Sequence, residues 1–124
     1  MAHNPEFLKL VDAARARVQE IDLAGYRKML DAGEAHILVD TREESEWAAG
    51  HVAGAVHLSK GIIERDIESA VPDKGAKLVL YCGGGFRSAM TCAAAQQMGY
   101  RKVTSLIGGY KAMVAAGWPM KTGA

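Results

Sequence analysis

The chain has 124 residues, of which 49% are hydrophobic and 23% are charged, and its formal net charge is +1. This length and composition fit one globular domain, which excludes a two-domain, a disordered or a fibrous protein. The balanced charge argues against a protein built mainly to bind nucleic acid or a membrane surface. We predict a single domain over residues 1–124, with a core at about 18–120 and an N-terminal helical extension over 1–16.

Acidic residues are unevenly distributed along the chain. All fourteen lie between Glu6 and Asp73, together with eight basic residues, whereas the chain from Lys74 onward has seven basic residues and no acidic one. A site built from the second half is therefore expected to be electropositive and to bind an anion.

The first half of the chain predicts alternating helices and strands. Asn4 before Pro5 is typical of a helix start, with Asn4 as the capping side chain, and apolar residues at helical spacing extend this helix to about Arg15. Asp22 and Gly33 are the expected cap and C-terminal glycine of the next helix. In chain order we then predict a strand at 18–21, a helix at 23–32, a strand at 37–39, a helix at 43–49, a strand at 56–58 and a helix at 62–70.

The second half continues the same alternation. We predict strands at 77–81 and 103–106 and helices at 88–98 and 110–116. Alternation of this kind indicates an α/β fold, in which a parallel sheet carries helices on both faces. Ligands of such sheets bind beyond the carboxyl ends of the strands.

A glycine-rich loop lies at the carboxyl end of the most apolar strand. Residues 81–88 read YCGGGFRS. The three glycines at 83–85 can adopt positive φ, and without Cβ atoms they let backbone amides turn inward as a nest for an anion. The nest lies at the positive end of the next helix, and Arg87 adds a full charge at its rim. This loop is the strongest candidate for a functional site.

Cys82 stands at the mouth of this nest. Inward amides, the helix end and a guanidinium all favour the thiolate, so Cys82 is predicted to be a nucleophile at neutral pH. The alternative is a structural cysteine buried beside a tight turn. A dinucleotide loop fits less well because the acid-free half lacks the carboxylate that binds the ribose, and a Walker A loop needs Gly-Lys-Ser/Thr.

The two cysteines and the four histidines predict neither a disulfide nor a metal site. Without an export signal, Cys82 and Cys92 are expected to be reduced thiols in a cytoplasmic protein that spans no membrane. Cys92 follows Cys82 by ten residues along a predicted helix, roughly 15 Å, which is too far for a disulfide. A buried packing thiol is favoured for Cys92, with a resolving role as the alternative. The histidines lack metal-ligand spacing.

The order and spacing of these features resemble the rhodanese (thiosulfate sulfurtransferase) domain family over about residues 18–120. The features that carry the resemblance are VDTR at 39–42, Glu46, GHVAGA at 50–55, the loop at 81–88, GGY at 108–110 and GWP at 117–119.

This resemblance implies a three-layer α/β/α fold with a five-stranded parallel sheet. It also implies that Cys82 takes a sulfane sulfur from a small anionic donor, becomes a persulfide and passes the sulfur to a thiophilic acceptor, without a cofactor. A persulfide-exchanging protein is a further partner of this kind, whereas nucleic acid and membrane are not. Arg87 is the first choice for binding the sulfonate end of thiosulfate. The implied substrate-binding residues are Gly83, Gly84, Gly85, Phe86, Arg87 and Ser88.

Two other functions are compatible with the same resemblance. Dual-specificity phosphatases of this fold have one residue more between cysteine and arginine than the four residues found here. They also need a general acid, for which Asp40 or Glu64 is the nearest candidate. The other alternative is a non-enzymatic module that carries persulfide or binds a partner.

Charged residues also follow the ends of two other predicted strands. Lys60 and Arg65 follow the third predicted strand and either face the cleft or form a solvated helix start. Asp40 and Arg42 follow the second strand, and a structural role is favoured for both. In that role Arg42 pairs with Glu46 or with Asp40.

Overall fold

The computed structural model describes residues 3–123 of the chain. Its helices are α1 (Pro5–Arg15), α2 (Leu23–Asp31), α3 (Glu44–Ala49), α4 (Ile63–Ala70), α5 (Phe86–Gln97) and α6 (Gly109–Ala115). Its strands are β1 (Gln19–Ile21), β2 (Ile37–Asp40), β3 (His51–Val52), β4 (Val56–His57), β5 (Lys77–Tyr81), β6 (Lys102–Leu106) and β7 (Met120–Lys121). None of the described helices is long and apolar enough to cross a membrane.

Five of the strands form one parallel sheet in the order β1-β6-β5-β2-β4. They are the five strands that the sequence predicts, so the α/β expectation is confirmed. The central strand β5 is buried on both faces, as its continuous apolar run indicates. The glycine-rich loop begins at the carboxyl end of β5, between the neighbouring strands β6 and β2.

The two faces of β5 contribute to two apolar cores because side chains alternate along a strand. Leu78 and Leu80 pack with side chains of α4 and α5. Val79 and Tyr81 pack with side chains of α2 and α6. The sheet is thus covered on both sides, as expected for the three-layer architecture.

Several local features differ from the sequence predictions. β3 and β7 form a two-stranded antiparallel ribbon that was not predicted. α5 begins at Phe86, two residues before the predicted start, so the glycine loop is shorter. Asn4 precedes α1, but its side chain makes no capping bond, whereas Asp22 caps α2 by accepting from the Gly25 amide at 2.7 Å.

Helix α1 packs against α5 through small side chains. Val11 and Ala14 are buried, and Ala14 lies in a cluster with Ala89 and Ala93 of α5. Alanines on both helices allow the backbones to approach closely. This packing brings His3 and Phe7 to Phe86 at the start of α5, and so to the glycine loop.

Candidate active site

Gly85 closes the loop onto the sulfur of Cys82. Its backbone amide donates a hydrogen bond to Cys82 Sγ at 3.1 Å. Gly85 has φ +101°, and a Cβ there would meet Gly108 N at 3.3 Å and Leu106 O at 3.4 Å. Only glycine suits the backbone at position 85. Gly83 and Gly84 do not adopt positive φ, so of the three glycines predicted to turn amides inward, Gly85 is the one whose amide bonds to the sulfur.

A buried chain of hydroxyls continues from the sulfur into the protein. Cys82 Sγ lies 3.5 Å from Ser88 Oγ in the first turn of α5, and Ser88 Oγ lies 2.8 Å from Ser105 Oγ of β6. All three side chains are buried. Either hydroxyl can be the donor in the second bond, so the pair can turn to accept from a thiol or to donate to a thiolate.

Cys82 opens onto a cavity of about 660 Å³ at the carboxyl end of the sheet. The loop supplies Cys82, Gly83, Gly84, Phe86 and Arg87 to its lining. Side chains far away in sequence complete it, and these are His3, Asn4, Phe7, Glu46 and Lys111. His3, Asn4, Phe7 and Lys111 were not predicted as site residues, and the partner expected for Glu46 was Arg42.

Glu46 of α3 reaches the loop and pairs with Arg87. Arg87 donates two hydrogen bonds to the carboxylate, at 2.7 and 3.1 Å. These bonds lower the pKa of Glu46 to about 2, chiefly through the hydrogen bond from Arg87, and Glu46 in turn raises the pKa of Arg87. A carboxylate of the acidic half therefore compensates Arg87, so the site is not built from the second half alone, although Arg87 and Lys111 still outnumber Glu46 in the cavity lining.

Asp40 and Arg42 form a buried ion pair beside the site. Arg42 donates to Asp40 from its backbone amide and from its guanidinium, and the Tyr81 hydroxyl also donates to Asp40 at 2.7 Å. Desolvation by burial and the bond to Asp40 raise the pKa of Tyr81 well above its usual value. The Tyr81 hydroxyl also accepts from the Val52 amide, so this network connects β5, β2 and β3. Of the two partners expected for Arg42, Asp40 is the one it contacts.

Lys60 and Arg65 lie away from the Cys82 cavity. The backbone amide of Lys60 donates to Thr41 O, and the side chain is absent from the cavity lining. Arg65 pairs with Asp66 on the surface and lines a separate cavity of about 450 Å³ together with Trp47 and His57. The structure therefore groups the loop residues with Glu46 and Lys111, and not with Lys60 and Arg65.

The start of α6 is bonded directly to the loop. Tyr110 N donates to Cys82 O at 2.7 Å, and Lys111 N donates to Gly83 O at 3.1 Å. Gly109 has φ +51°, and a Cβ there would overlap the carbonyl of Cys82. The GGY sequence thus allows α6 to pack on the backbone of the loop, which places Lys111 at the cavity edge.

The two thiols differ in position. Cys92 is fully buried on α5, and burial raises the pKa of its thiol well above the usual value. Both cysteines are free. Within residues 3–123, no group of three or more histidine, cysteine, aspartate and glutamate side chains is arranged to hold a metal ion. Cys82 lines the cavity, whereas Cys92 does not.

Comparison with known proteins connects this geometry to a chemical class. The family model described as "Rhodanese-like domain" matches residues 22–116. A sulfurtransferase of Allochromatium vinosum is 36% identical over 103 residues, which are 83% of this chain and 94% of that protein. The thiosulfate sulfurtransferase GlpE of Coxiella burnetii is 31% identical over 75 residues, 60% of this chain and 68% of that protein.

A solved structure resembles the whole chain, α1 included. It is a protein of unknown function from Rhodopseudomonas palustris, described as a possible tyrosine phosphatase, with a TM-score of 0.79 and 25% identity. The match covers 98% of each chain. The family model, by contrast, begins after α1 and β1.

Proposed function

The chain belongs to the rhodanese-like family, and from this premise we propose that it is a sulfurtransferase acting through a persulfide on Cys82. The donor is thiosulfate or a related sulfane sulfur compound, and the acceptor is cyanide or a thiol. One observation carries the proposal: Cys82 Sγ accepts a hydrogen bond from the Gly85 amide and faces a cavity at the start of α5. An amide donor and a helix N-terminus both stabilise negative charge on sulfur.

The reaction takes place in two displacement steps. The Cys82 thiolate attacks the outer sulfur of thiosulfate, the sulfur–sulfur bond of the donor breaks, and sulfite leaves with its electron pair. Cys82 then carries a persulfide. In the second step the acceptor attacks the outer sulfur, and the electron pair of the broken bond returns to Cys82 as the thiolate. No external oxidant or reductant is needed, because sulfur moves with its electrons balanced in each step.

The carboxylate in the cavity argues for sulfur transfer over phosphate ester hydrolysis. A phosphatase needs a protonated acid to assist its leaving group. Glu46 lines the cavity, but its pKa of about 2 keeps it ionised near neutral pH, and Asp40 is committed to Arg42 and Tyr81. The loop also has only four residues between Cys82 and Arg87, which fits a single sulfur better than a phosphoryl group.

Intact mass after incubation with thiosulfate tests the proposal. Wild type is expected to gain about 32 Da, the mass of one sulfur, and Cys82→Ser is expected to gain nothing. Cys92→Ser is the matched control, since it removes the other thiol and should still gain the sulfur. Absence of the adduct on wild type would overturn the proposal.

A second pair of assays separates the alternatives. Thiocyanate release from thiosulfate and cyanide is expected for the enzyme, and hydrolysis of an aryl phosphate is not. An adduct that forms without thiocyanate release would indicate a persulfide carrier instead. Hydrolysis that depends on Cys82, with no thiocyanate release, would indicate a phosphatase.

A further inference from the structure

Three aromatic side chains form one side of the Cys82 cavity. His3 lies 5.0 Å from Phe86 and 5.3 Å from Phe7, and Phe7 lies 6.3 Å from Phe86, measured between ring centroids. All three line the cavity. We call this group the aromatic wall. His3 and Phe7 precede the segment that the family model matches, whereas Phe86 lies within it.

The aromatic wall is held in place by the packing of α1. Val11 and Ala14 are 1% and 4% exposed, and Ala14 packs against Ala89 and Ala93 of α5. Phe86 is the first residue of α5, so the wall bridges the ends of two packed helices. It is therefore a built part of the cavity.

The other side of the cavity is charged. Arg87 is compensated by Glu46, with which it shares two hydrogen bonds. Lys111 differs, since within residues 3–123 no carboxylate lies at ion-pair distance from its ammonium group. The bond from its backbone amide to Gly83 O fixes its position at the cavity edge. Lys111 thus offers a positive charge to an incoming molecule.

The volume of the cavity points to a larger ligand than the donor. Thiosulfate has five heavy atoms and cyanide two, whereas cavities of about 300 to 1,000 Å³ usually enclose organic molecules. At about 660 Å³, the Cys82 cavity has room for an organic body beside the sulfur.

We propose that the aromatic wall and Lys111 form an acceptor subsite, which selects a small organic thiol with a flat apolar body and an anionic group. This proposal rests on the proposed sulfurtransferase function and adds the residues that choose its acceptor. The apolar body packs on His3, Phe7 and Phe86, while the anionic group meets Lys111. Both contacts hold the thiol above the sulfur of Cys82.

The transfer at this subsite is a single displacement. The acceptor thiolate forms a bond to the outer sulfur of the Cys82 persulfide, and the bond between that sulfur and Cys82 Sγ breaks. The electron pair stays on Cys82 as the thiolate, and the proton on the outer sulfur leaves with the new acceptor persulfide. Atoms and electrons balance without another reactant.

Single-turnover reactions of persulfide-loaded protein isolate this step. Three acceptors serve as probes: para-mercaptobenzoate has ring and carboxylate, thiophenol has the ring alone, and mercaptoacetate has the carboxylate alone. The rate constant of each variant is divided by the wild-type value for the same acceptor, which removes differences in intrinsic reactivity.

Each variant is expected to slow the two acceptors that carry the group contacted by the replaced residue. Phe7→Ala should slow both ring thiols relative to mercaptoacetate by roughly threefold to tenfold, the value of an aromatic contact. Lys111→Gln should slow both carboxylates relative to thiophenol by roughly twofold to fivefold, as for an exposed ion pair. Leu10→Ala is the control on α1, because Leu10 is exposed and absent from the lining of the Cys82 cavity.

The outcomes distinguish the subsite from the chemistry. Lys111 lies on α6 and Phe7 lies on α1. Lys111→Gln therefore still tests the subsite if Phe7→Ala weakens the packing of α1. The proposed subsite would be overturned if the relative rate constants changed equally for all three acceptors in both variants. It would also be overturned if they changed in neither variant. Failure of wild type to load with sulfur would overturn the proposed function instead.

Discussion

Replacing Glu46 with glutamine is expected to lower the thiosulfate KM by about tenfold. Glu46 is ionised at neutral pH, because the hydrogen bonds from Arg87 hold its pKa at about 2. The variant therefore removes a full negative charge from the cavity. Glutamine keeps a side-chain oxygen that can accept from the Glu43 amide, as Glu46 does at 3.0 Å, so the start of α3 is preserved.

The magnitude follows from the repulsion between the carboxylate and the donor. Thiosulfate bound on the other side of the Arg87 guanidinium lies roughly 6 Å from the carboxylate, and in a water-like dielectric charges of −2 and −1 at that separation repel by about 1.4 kcal/mol. That energy corresponds to about tenfold in affinity. The water-like value is appropriate because the Glu46 side chain is 36% exposed.

Steady-state thiocyanate formation at low ionic strength measures this effect, since salt screens it. Glu44→Gln is the matched control: it makes the same charge change on the same helix, but Glu44 does not line the Cys82 cavity. A KM that falls equally in both variants would point to net charge alone. A KM that rises in Glu46→Gln would refute the reasoning, because Arg87 would then need its carboxylate partner to bind the donor.

Two further predictions concern stability, measured by denaturant unfolding. Gly109→Ala is expected to lose about 2 kcal/mol or more, since it adds a clash with the Cys82 carbonyl to an unfavourable positive φ; Gly117→Ala, with φ +76° and open space around it, should lose less. Asp40→Asn is expected to lose about 3 to 5 kcal/mol by leaving the buried charge of Arg42 without its partner. Asp66→Asn, in the exposed Arg65–Asp66 pair, should change stability little. Equal losses within either pair of variants would contradict the corresponding argument.

The sheet and the glycine loop could be predicted because their signals are local. Strand β5 is a continuous apolar run, and the three glycines and the start of α5 lie within four residues of Cys82. The ribbon of β3 and β7 could not be predicted, because each strand has only two residues, too few to show an alternation of apolar and polar side chains. Its pairing joins His51 to Lys121, two residues far apart in the sequence that only the folded chain brings together.

The rest of the site depends on distant contacts. The Arg87–Glu46 pair joins residues 41 positions apart, and the sequence contains nothing that favours this partner over Asp40. The spacing of α1 indicates an apolar face, but it does not say that α5 covers this face or that Phe7 then reaches the cavity. In the sequence, nothing distinguishes Lys111 from the other lysines. Its position at the cavity depends on the hydrogen bond from its backbone amide to Gly83 O, which forms only in the fold.

The pairing of β3 with β7 has a consequence for synthesis of the chain. α3 runs directly into β3, whose partner is residues 120–121, and the Gly123 amide also donates to Ala48 O at 2.9 Å. On the ribosome, Cys82 and its loop emerge well before that partner exists. The segment that carries Glu46 therefore gains these contacts only after residues 120–123 have been made, which is later than Cys82 and its loop.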